Sequence, residues 1–323
     1  MNDGAQNLNE KIPAEKALKE LLLASIKEQR SQRRWKIFFR LCYLLVIIAV
    51  FFGIRSGLSH ASDSYDKLKP HAALVTIDDE ISAKSDANAD DLIESLDAAF
   101  SDSNTMAVIL SINSPGGSPV QANEVYNEMK RLRQAYPKIK LYAVCSDVCA
   151  SGAYYIAAGA DEIYVNSSSL VGSIGVLMDG FGFVGTMDKL GIQRRLATAG
   201  DHKGFMDPFS PENESDKLYL QSMLDDLHNQ FINSVKAGRG KRLKDDPDLF
   251  SGLVWTGDRA VQLGLADGIG SVRDVARNFI KTDNIIDYTQ KQGPLEGLMT
   301  ALGSSSAKTF ARVVGLSPAP HWQ

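Results

Sequence analysis

The sequence is short of the residue types that most directly reveal a metal or nucleic-acid site. Its 323 residues include three cysteines, five histidines and three tryptophans, and the formal net charge is −4. Nucleic-acid binding normally requires a basic face, so this balance argues against a nucleic-acid partner. With 44% hydrophobic and 23% charged residues, the chain is instead typical of a folded protein with a sizeable core.

The three cysteines do not form a metal-binding pattern. Cys42 lies in an apolar run, while Cys145 and Cys149 are close together in YAVCSDVCASG. A metal site would need further ligands nearby, and the sequence shows none there. A disulfide between Cys145 and Cys149 is open in an oxidising compartment, although two small buried residues beside a turn is the favoured interpretation. We therefore predict no metal and no cofactor.

The charges are unevenly spread near the N-terminus. A basic cluster between Lys27 and Arg40 precedes LCYLLVIIAVFFGI, residues 41–54, which carry no charge. A cleaved signal peptide would have a shorter basic region, and a buried core helix would rarely follow so many cations. The pattern predicts a retained transmembrane helix. The positive-inside rule then places the N-terminus in the cytoplasm and the bulk of the chain outside it.

Beyond residue 70, strand and helix patterns alternate at short spacing. This alternation predicts an α/β fold with a parallel sheet and helices outside it. The stretch LVWTGDRAVQLGLADGIG predicts a strand, a helix and a turn. The other predicted strands are 71–81, 106–113, 140–146 and 161–167, and the predicted helices are 88–102, 120–136, 150–160 and 210–240.

Two turns carry residues suited to chemistry. In SINSPGGSP, a buried strand ends at Gly116 and Gly117 before a helix begins. Such glycines leave amide groups uncovered for an oxyanion, or they merely allow a tight turn. In VCASGAYYI, Ser151 stands where a strand gives way to a helix, and the Gly152 amide could join that of Gly117. Alone, Ser151 is more typical of a turn residue than of a nucleophile.

A nucleophilic serine needs a base, and histidine is the usual one. The histidine nearest to Ser151 in sequence is His202, in the loop ATAGDHKGFMDPFSP, and Lys203 stands beside it. His228 lies within the long predicted helix and is expected at the surface. A lysine can act as base in its neutral form, which an apolar pocket favours. A solvated loop lysine is the alternative.

The blocks SINSPGG, ASGAYYIAAGADEIYVN, LVGSIGV, ATAGDHKGFMDPFSP and WTGDRAVQLGLAD occur in this order. Together they resemble the signal peptide peptidase SppA family, serine proteases of the ClpP/crotonase superfamily with a Ser-Lys dyad. The resemblance covers residues 74–280, about two thirds of the chain. It implies ClpP/crotonase-like repeated β-β-α units with a parallel sheet, here preceded by one N-terminal transmembrane helix.

The resemblance also implies roles for particular residues. Ser151 matches the family's nucleophile, Lys203 its general base, and Ser173 the serine that orients the lysine. Gly117 and Gly152 match the two amides of the oxyanion hole. A ClpP-type histidine is absent, since Val176 stands at its expected position. The cysteines beside the nucleophile depart from the usual family pattern and make redox behaviour there uncertain.

The function implied is membrane-anchored serine endopeptidase activity on remnant signal peptides and other apolar extended peptides. The implied assembly is a homo-oligomer whose dyad is shared between subunits, on the outer side of the inner membrane. A crotonase-like acyl-thioester enzyme and a catalytically silent membrane scaffold are the alternatives. The predicted organisation is a cytoplasmic segment 1–34, a transmembrane helix 35–56, a linker 57–72, a protease domain 73–282 and a tail 283–323 with oligomer contacts.

Overall fold

The structure, a computed structural model, describes residues 35–36, 38–48, 51 and 67–290. The chain divides into two units, Met1–Tyr65 and Asp66–Gln323. In the first unit the described residues are helical. No helix within the described ranges is both long and apolar enough to cross a membrane. Part of the predicted transmembrane segment 35–56, the whole of 1–34, and most of the tail lie outside those ranges.

The second unit begins with alternating strands and helices, as predicted. Strand and helix follow each other one for one at the start, so repeated β-β-α units are not the pattern in this part. The elements are β1 (His71–Asp78), α1 (Ala89–Ser101), β2 (Thr105–Ser114), α2 (Pro119–Ala135), β3 (Lys140–Ala150), α3 (Gly152–Ala157) and β4 (Glu162–Val165).

The second half of the unit has shorter strands and one long helix. Two irregular helical turns, Gly240–Arg242 and Ala276–Ile280, link some of them. The elements are β5 (Leu170–Gly172), α4 (Val184–Lys189), α5 (Glu214–Arg239), β6 (Val254–Thr256), α6 (Gly257–Gln262), β7 (Gly268–Ile269), α7 (Val272–Val275) and β8 (Ile285–Asp287).

All described strands join one mostly parallel sheet in the order β6-β5-β3-β2-β1-β8. The exception is β6, which runs antiparallel to β5. β3 is shared by two neighbours, because its first half pairs with β4 and its end pairs with β5. β8 pairs with β1, so the sheet continues past the boundary predicted at residue 282.

The core lies between the sheet and the helices α1 to α3. On α1 the buried side chains Leu92, Leu96 and Phe100 recur at helical spacing and form the face toward the sheet. Asn88 begins this helix by accepting a hydrogen bond from the Asp91 N–H. α2 begins in the same way at Ser118, with Pro119 in its first turn. Each fully buried leucine stabilises the fold by about 1.5–3 kcal/mol.

The parallel arrangement determines where functional residues can meet. The strands β1, β2, β3 and β5 all run in the same direction, so their carboxyl ends lie along one edge of the sheet. The turns after these ends carry Glu80, Gly117, Ser151 and Ser173. Beyond β5, α4 has no buried residue, and most side chains up to the start of α5 are exposed.

Candidate active site

Ser151 occupies a strained turn between β3 and α3. Its backbone has φ 54° and ψ −125°, a region that non-glycine residues rarely adopt and that costs about 1–3 kcal/mol. Two hydrogen bonds hold the turn. The Ser151 N–H donates to the Gly172 carbonyl at 2.8 Å, and its carbonyl accepts from the Tyr155 N–H at 2.9 Å. The side chain is thereby presented at the end of the strand.

The glycine turn after β2 packs directly against the Ser151 turn. Gly116 and Gly117 have φ 103° and 144°. A Cβ on Gly116 would lie 2.7 Å from the Gly152 nitrogen, and one on Gly117 would lie 2.2 Å from the Ile81 carbonyl oxygen. Hydrogen bonds of 2.8 Å from the Ile81 N–H to Gly116 and from the Ser118 N–H to Ile81 lock this contact. Only glycine fits both positions.

The amides of Gly117 and Gly152 are available to a ligand. Within the described ranges neither donates a hydrogen bond to another part of the chain. Both residues line the same cavity as Ser151, and a Cβ on Gly152 would lie only 3.4 Å from the Gly117 nitrogen. Two free amides beside a serine hydroxyl are the arrangement that stabilises an oxyanion during acyl transfer.

Ser173 lies in the same cavity and is tied to the Ser151 turn through one residue. It follows Gly172, whose carbonyl accepts from the Ser151 N–H. The Ser173 backbone has φ 50°, and its N–H donates to the Leu253 carbonyl at 2.8 Å. The structure thus brings Ser151, Ser173, Gly117 and Gly152 together.

Lys203 is not brought to this cavity within one chain. It lies in the loop before α5, its side chain is exposed, and it is not among the residues that line the cavity. Its N–H donates to the Gly200 carbonyl at 3.1 Å. The pairing of Lys203 with Ser151 therefore stays a prediction.

Neither histidine considered as a base lines the cavity. His202 is exposed, and its Nδ1 lies 2.9 Å from Asp216 Oδ1. His228 is half-buried, so its expected surface position was wrong. Its Nε2 lies 3.0 Å from the Ile174 carbonyl oxygen, next to Ser173. It therefore holds the backbone of the segment that carries Ser173.

The cavity has a volume of about 600 Å³ and an apolar wall with one polar point. The Tyr155 ring packs against the rings of Tyr126 and Phe231, with centroids 5.2 and 5.0 Å away. Its hydroxyl accepts a hydrogen bond from Asn123 Nδ2 at 2.7 Å. Sequence reasoning missed Asn123 and Tyr155, which only tertiary packing brings into contact; the aromatic pair in SGAYYI was the one available signal.

The cysteines beside the nucleophile are unpaired thiols in the structure. Cys145 and Cys149 are both buried. Burial raises the pKa of the Cys149 thiol well above its ordinary value, and the neighbouring Cys145 thiol adds to the effect. No group of metal-binding side chains occurs in the described part of the chain.

Comparison with known proteins identifies the family. A model of peptidase family S49 matches residues 133–285, and a model of Clp protease matches residues 56–170. A protein of Synechocystis sp. named "Putative protease" is 32% identical over 226 residues, which cover 67% of this chain and 79% of that protein. The chain belongs to the SppA family, peptidase family S49, in the ClpP superfamily.

Two further relatives cover less of their own length. The "Putative signal peptide peptidase SppA" of Enterococcus faecium is 31% identical over 182 residues, which are 56% of this chain and 52% of that protein. The "Na(+)/H(+) antiporter NhaA" of Brucella abortus is 46% identical over 182 residues. Those residues are 56% of this chain but 25% of the antiporter, so this S49 chain matches a quarter of that relative's length.

Proposed function

We propose that this S49 protein is a membrane-anchored serine endopeptidase that uses a Ser-Lys dyad. The observation that carries the proposal is the strained Ser151 turn, which places a serine hydroxyl beside the free amides of Gly117 and Gly152 in one cavity. Such strain persists only where the surrounding structure maintains it, and it is concentrated at active sites.

The proposed reaction proceeds through an acyl-enzyme. The Ser151 hydroxyl oxygen attacks the peptide carbonyl while neutral Lys203 takes the hydroxyl proton. The Gly117 and Gly152 amides bind the oxyanion, and Ser173 orients the lysine amine. The protonated lysine then gives its proton to the leaving amine, and water hydrolyses the acyl-enzyme.

The base comes from a neighbouring subunit in this proposal. Lys203 is exposed and lies apart from the cavity of its own chain, which supports a homo-oligomer in which the loop of one subunit reaches the Ser151 of the next. Transfer of the lysine into a cavity walled by Leu177, Leu227 and Phe231 would remove it from water and favour its neutral form.

The substrates we propose are extended apolar peptides, chiefly remnant signal peptides. The apolar cavity wall supports this class. The uncharged run at 41–54, after a basic cluster, supports a single membrane anchor with a cytoplasmic N-terminus and the protease domain outside the cytoplasm. The name of the E. faecium relative, a signal peptide peptidase, agrees with this choice.

The test is hydrolysis of an apolar signal-peptide substrate by the full-length protein in detergent. We expect Ser151→Ala and Lys203→Ala each to lower kcat by roughly a thousandfold or more, because nucleophile and base act as a unit. His202→Ala changes the neighbouring side chain in the same loop and should retain activity. Loss in His202→Ala with activity retained in Lys203→Ala would replace the dyad with a Ser-His pair.

A further inference from the structure

One carboxylate stands at the edge of the active-site cavity. Glu80 lies in the turn after β1 and lines the cavity together with Ser151 and Gly117. Every other side chain in the lining is uncharged. A charged group in otherwise neutral surroundings has a large influence on which substrates bind, because no neighbouring cation cancels it.

The turn that carries Glu80 is held rigidly. Asp79 has φ 129°, a strained value for a residue with a side chain. Its N–H donates to the Asn113 carbonyl at 3.2 Å, and its carboxylate accepts from the Glu80 N–H at 2.7 Å. The Glu80 carbonyl accepts from the Ser85 hydroxyl at 2.7 Å. The backbone position of Glu80 is therefore fixed before any substrate arrives.

The position of Glu80 is also fixed relative to the reacting bond. The next residue, Ile81, exchanges hydrogen bonds with the turn that contains Gly117. In the proposed mechanism the Gly117 amide binds the oxygen of the cleaved peptide bond. Glu80 is thus one residue from the strand segment that supports the oxyanion hole, and a substrate side chain near the cleaved bond can reach it.

Glu80 has no ion-pair partner among the residues that the structure describes; the salt bridges there join other groups. Its side chain is exposed to solvent, so a substrate cation would not have to displace an existing partner. Long cationic side chains suit such a site, since their methylene stems pack on apolar walls while the charged end reaches a carboxylate.

We propose that Glu80 is a specificity-determining residue that selects peptides with a lysine or arginine near the cleaved bond within an otherwise apolar sequence. This inference rests on the proposed peptidase function and narrows its substrate class. The lysine ammonium or arginine guanidinium pairs with the Glu80 carboxylate while apolar neighbours occupy the cavity wall formed by Tyr155 and Phe231.

The test compares matched fluorogenic peptides on the full-length protein. One lysine is moved through each position around the cleaved bond of an apolar peptide, and glutamine and glutamate replace it in paired peptides. We expect one position where lysine raises kcat/KM about threefold to tenfold over glutamine, the range of a partly exposed ion pair. This advantage should shrink as salt is added.

Variants then assign the preference. Glu80→Gln should bring the lysine-to-glutamine ratio close to one, and Glu80→Lys should make the glutamate peptide the better substrate. The control Glu94→Lys makes the same charge change at an exposed residue on α1, outside the cavity, and should keep the wild-type ratio. Each ratio comes from one preparation, so a loss of folded protein cancels.

The outcomes separate this inference from the function on which it rests. Cleavage of all peptides without a lysine preference overturns the role of Glu80 and leaves the peptidase function intact. An equal loss on every peptide in Glu80→Gln also overturns it, because it would place Glu80 in the shared reaction machinery. If the wild type cleaves no peptide faster than Ser151→Ala, both proposals fail.

Discussion

Backbone strain is concentrated in the turns at one edge of the sheet. Asp79, Ser151 and Ser173 all have positive φ, and they follow β1, β3 and β5. Each costs about 1–3 kcal/mol. The contacts that maintain them are shared, since Ser151 donates to Gly172 and Ile81 bonds to the Gly117 turn. A change in one turn should therefore affect its neighbours.

Gly117→Ala is the sharpest test of this coupling. The added methyl group would lie 2.2 Å from the Ile81 carbonyl oxygen, and φ 144° strains any side chain there. We expect a loss of roughly 1–4 kcal/mol in the free energy of unfolding and loss of peptide hydrolysis. Urea unfolding and an activity assay measure the two effects.

Gly182→Ala is the matched control, because nothing lies within 4 Å of its added methyl group. We expect it to change stability by less than about 0.5 kcal/mol and to retain activity. Wild-type activity in a folded Gly117→Ala variant would show that the Gly117 amide is not needed for the reaction.

At the scale of elements, the longer strands and helices could be predicted because their apolar residues recur over several turns or strand pairs. β1, β2 and α1 begin and end within about two residues of the prediction. The long helix starts at Glu214 instead of residue 210, since Asn213 accepts from the Ser215 N–H and forms the cap. β5 and β7 have three and two residues, too few for a periodic signal.

The site could be predicted only where a turn carries its own signature. The glycine turn and the Ser-Gly turn follow buried strands, and parallel strands bring such turns to one edge. Glu80 and Tyr155 carry no such signature, because their role depends on which distant residues pack around the cavity. The partner of Lys203 cannot be found in one chain, since an exposed loop does not reveal what it contacts.

An ion-pair cluster ties α5 to the strand region near β7. Arg239 has a side chain only 1% exposed and lies 2.7 Å from Asp267. Burial alone would raise the pKa of Asp267, but hydrogen bonds from Arg239 and the Ile163 amide, with the charges of Arg239 and Arg242, hold that pKa below its ordinary value of 3.8. The carboxylate therefore stabilises the folded state at neutral pH.

Asp267→Asn should be strongly destabilising, by about 3–5 kcal/mol, because it leaves the buried Arg239 without its partner. Since the folded-state pKa is depressed, this stabilisation is fully present above the unfolded value near 3.8. It is lost as the pH falls through the lower folded-state value. Urea unfolding of both proteins from pH 7 to pH 3 should show a difference that is constant above about pH 5 and shrinks below the ordinary pKa; a difference that does not change with pH would contradict this origin.

At the scale of the whole molecule, the segment between β5 and α5 presents apolar side chains to solvent. Leu177 is 81% exposed and Phe181 is 79% exposed, and Leu190 and Leu218 are also exposed. Apolar groups of this kind that lie close together usually mark a surface that binds another protein. The same segment carries Lys203, so contacts between copies made here would bring the lysine loop onto another chain, as the shared dyad requires.

Complementation between inactive variants tests that arrangement. Ser151→Ala and Lys203→Ala should each be inactive alone, but their co-expression should form mixed oligomers in which one chain supplies Ser151 and its neighbour supplies Lys203. With random mixing in a ring, about a quarter of the sites receive both groups, and activity should return in that proportion. Co-expression of Ser151→Ala with the double variant provides no Ser151 and must stay inactive. If the mixture also stays inactive while its subunits are shown to associate, the dyad forms within one chain, and the exposed position of Lys203 would then require a movement of its loop to reach Ser151.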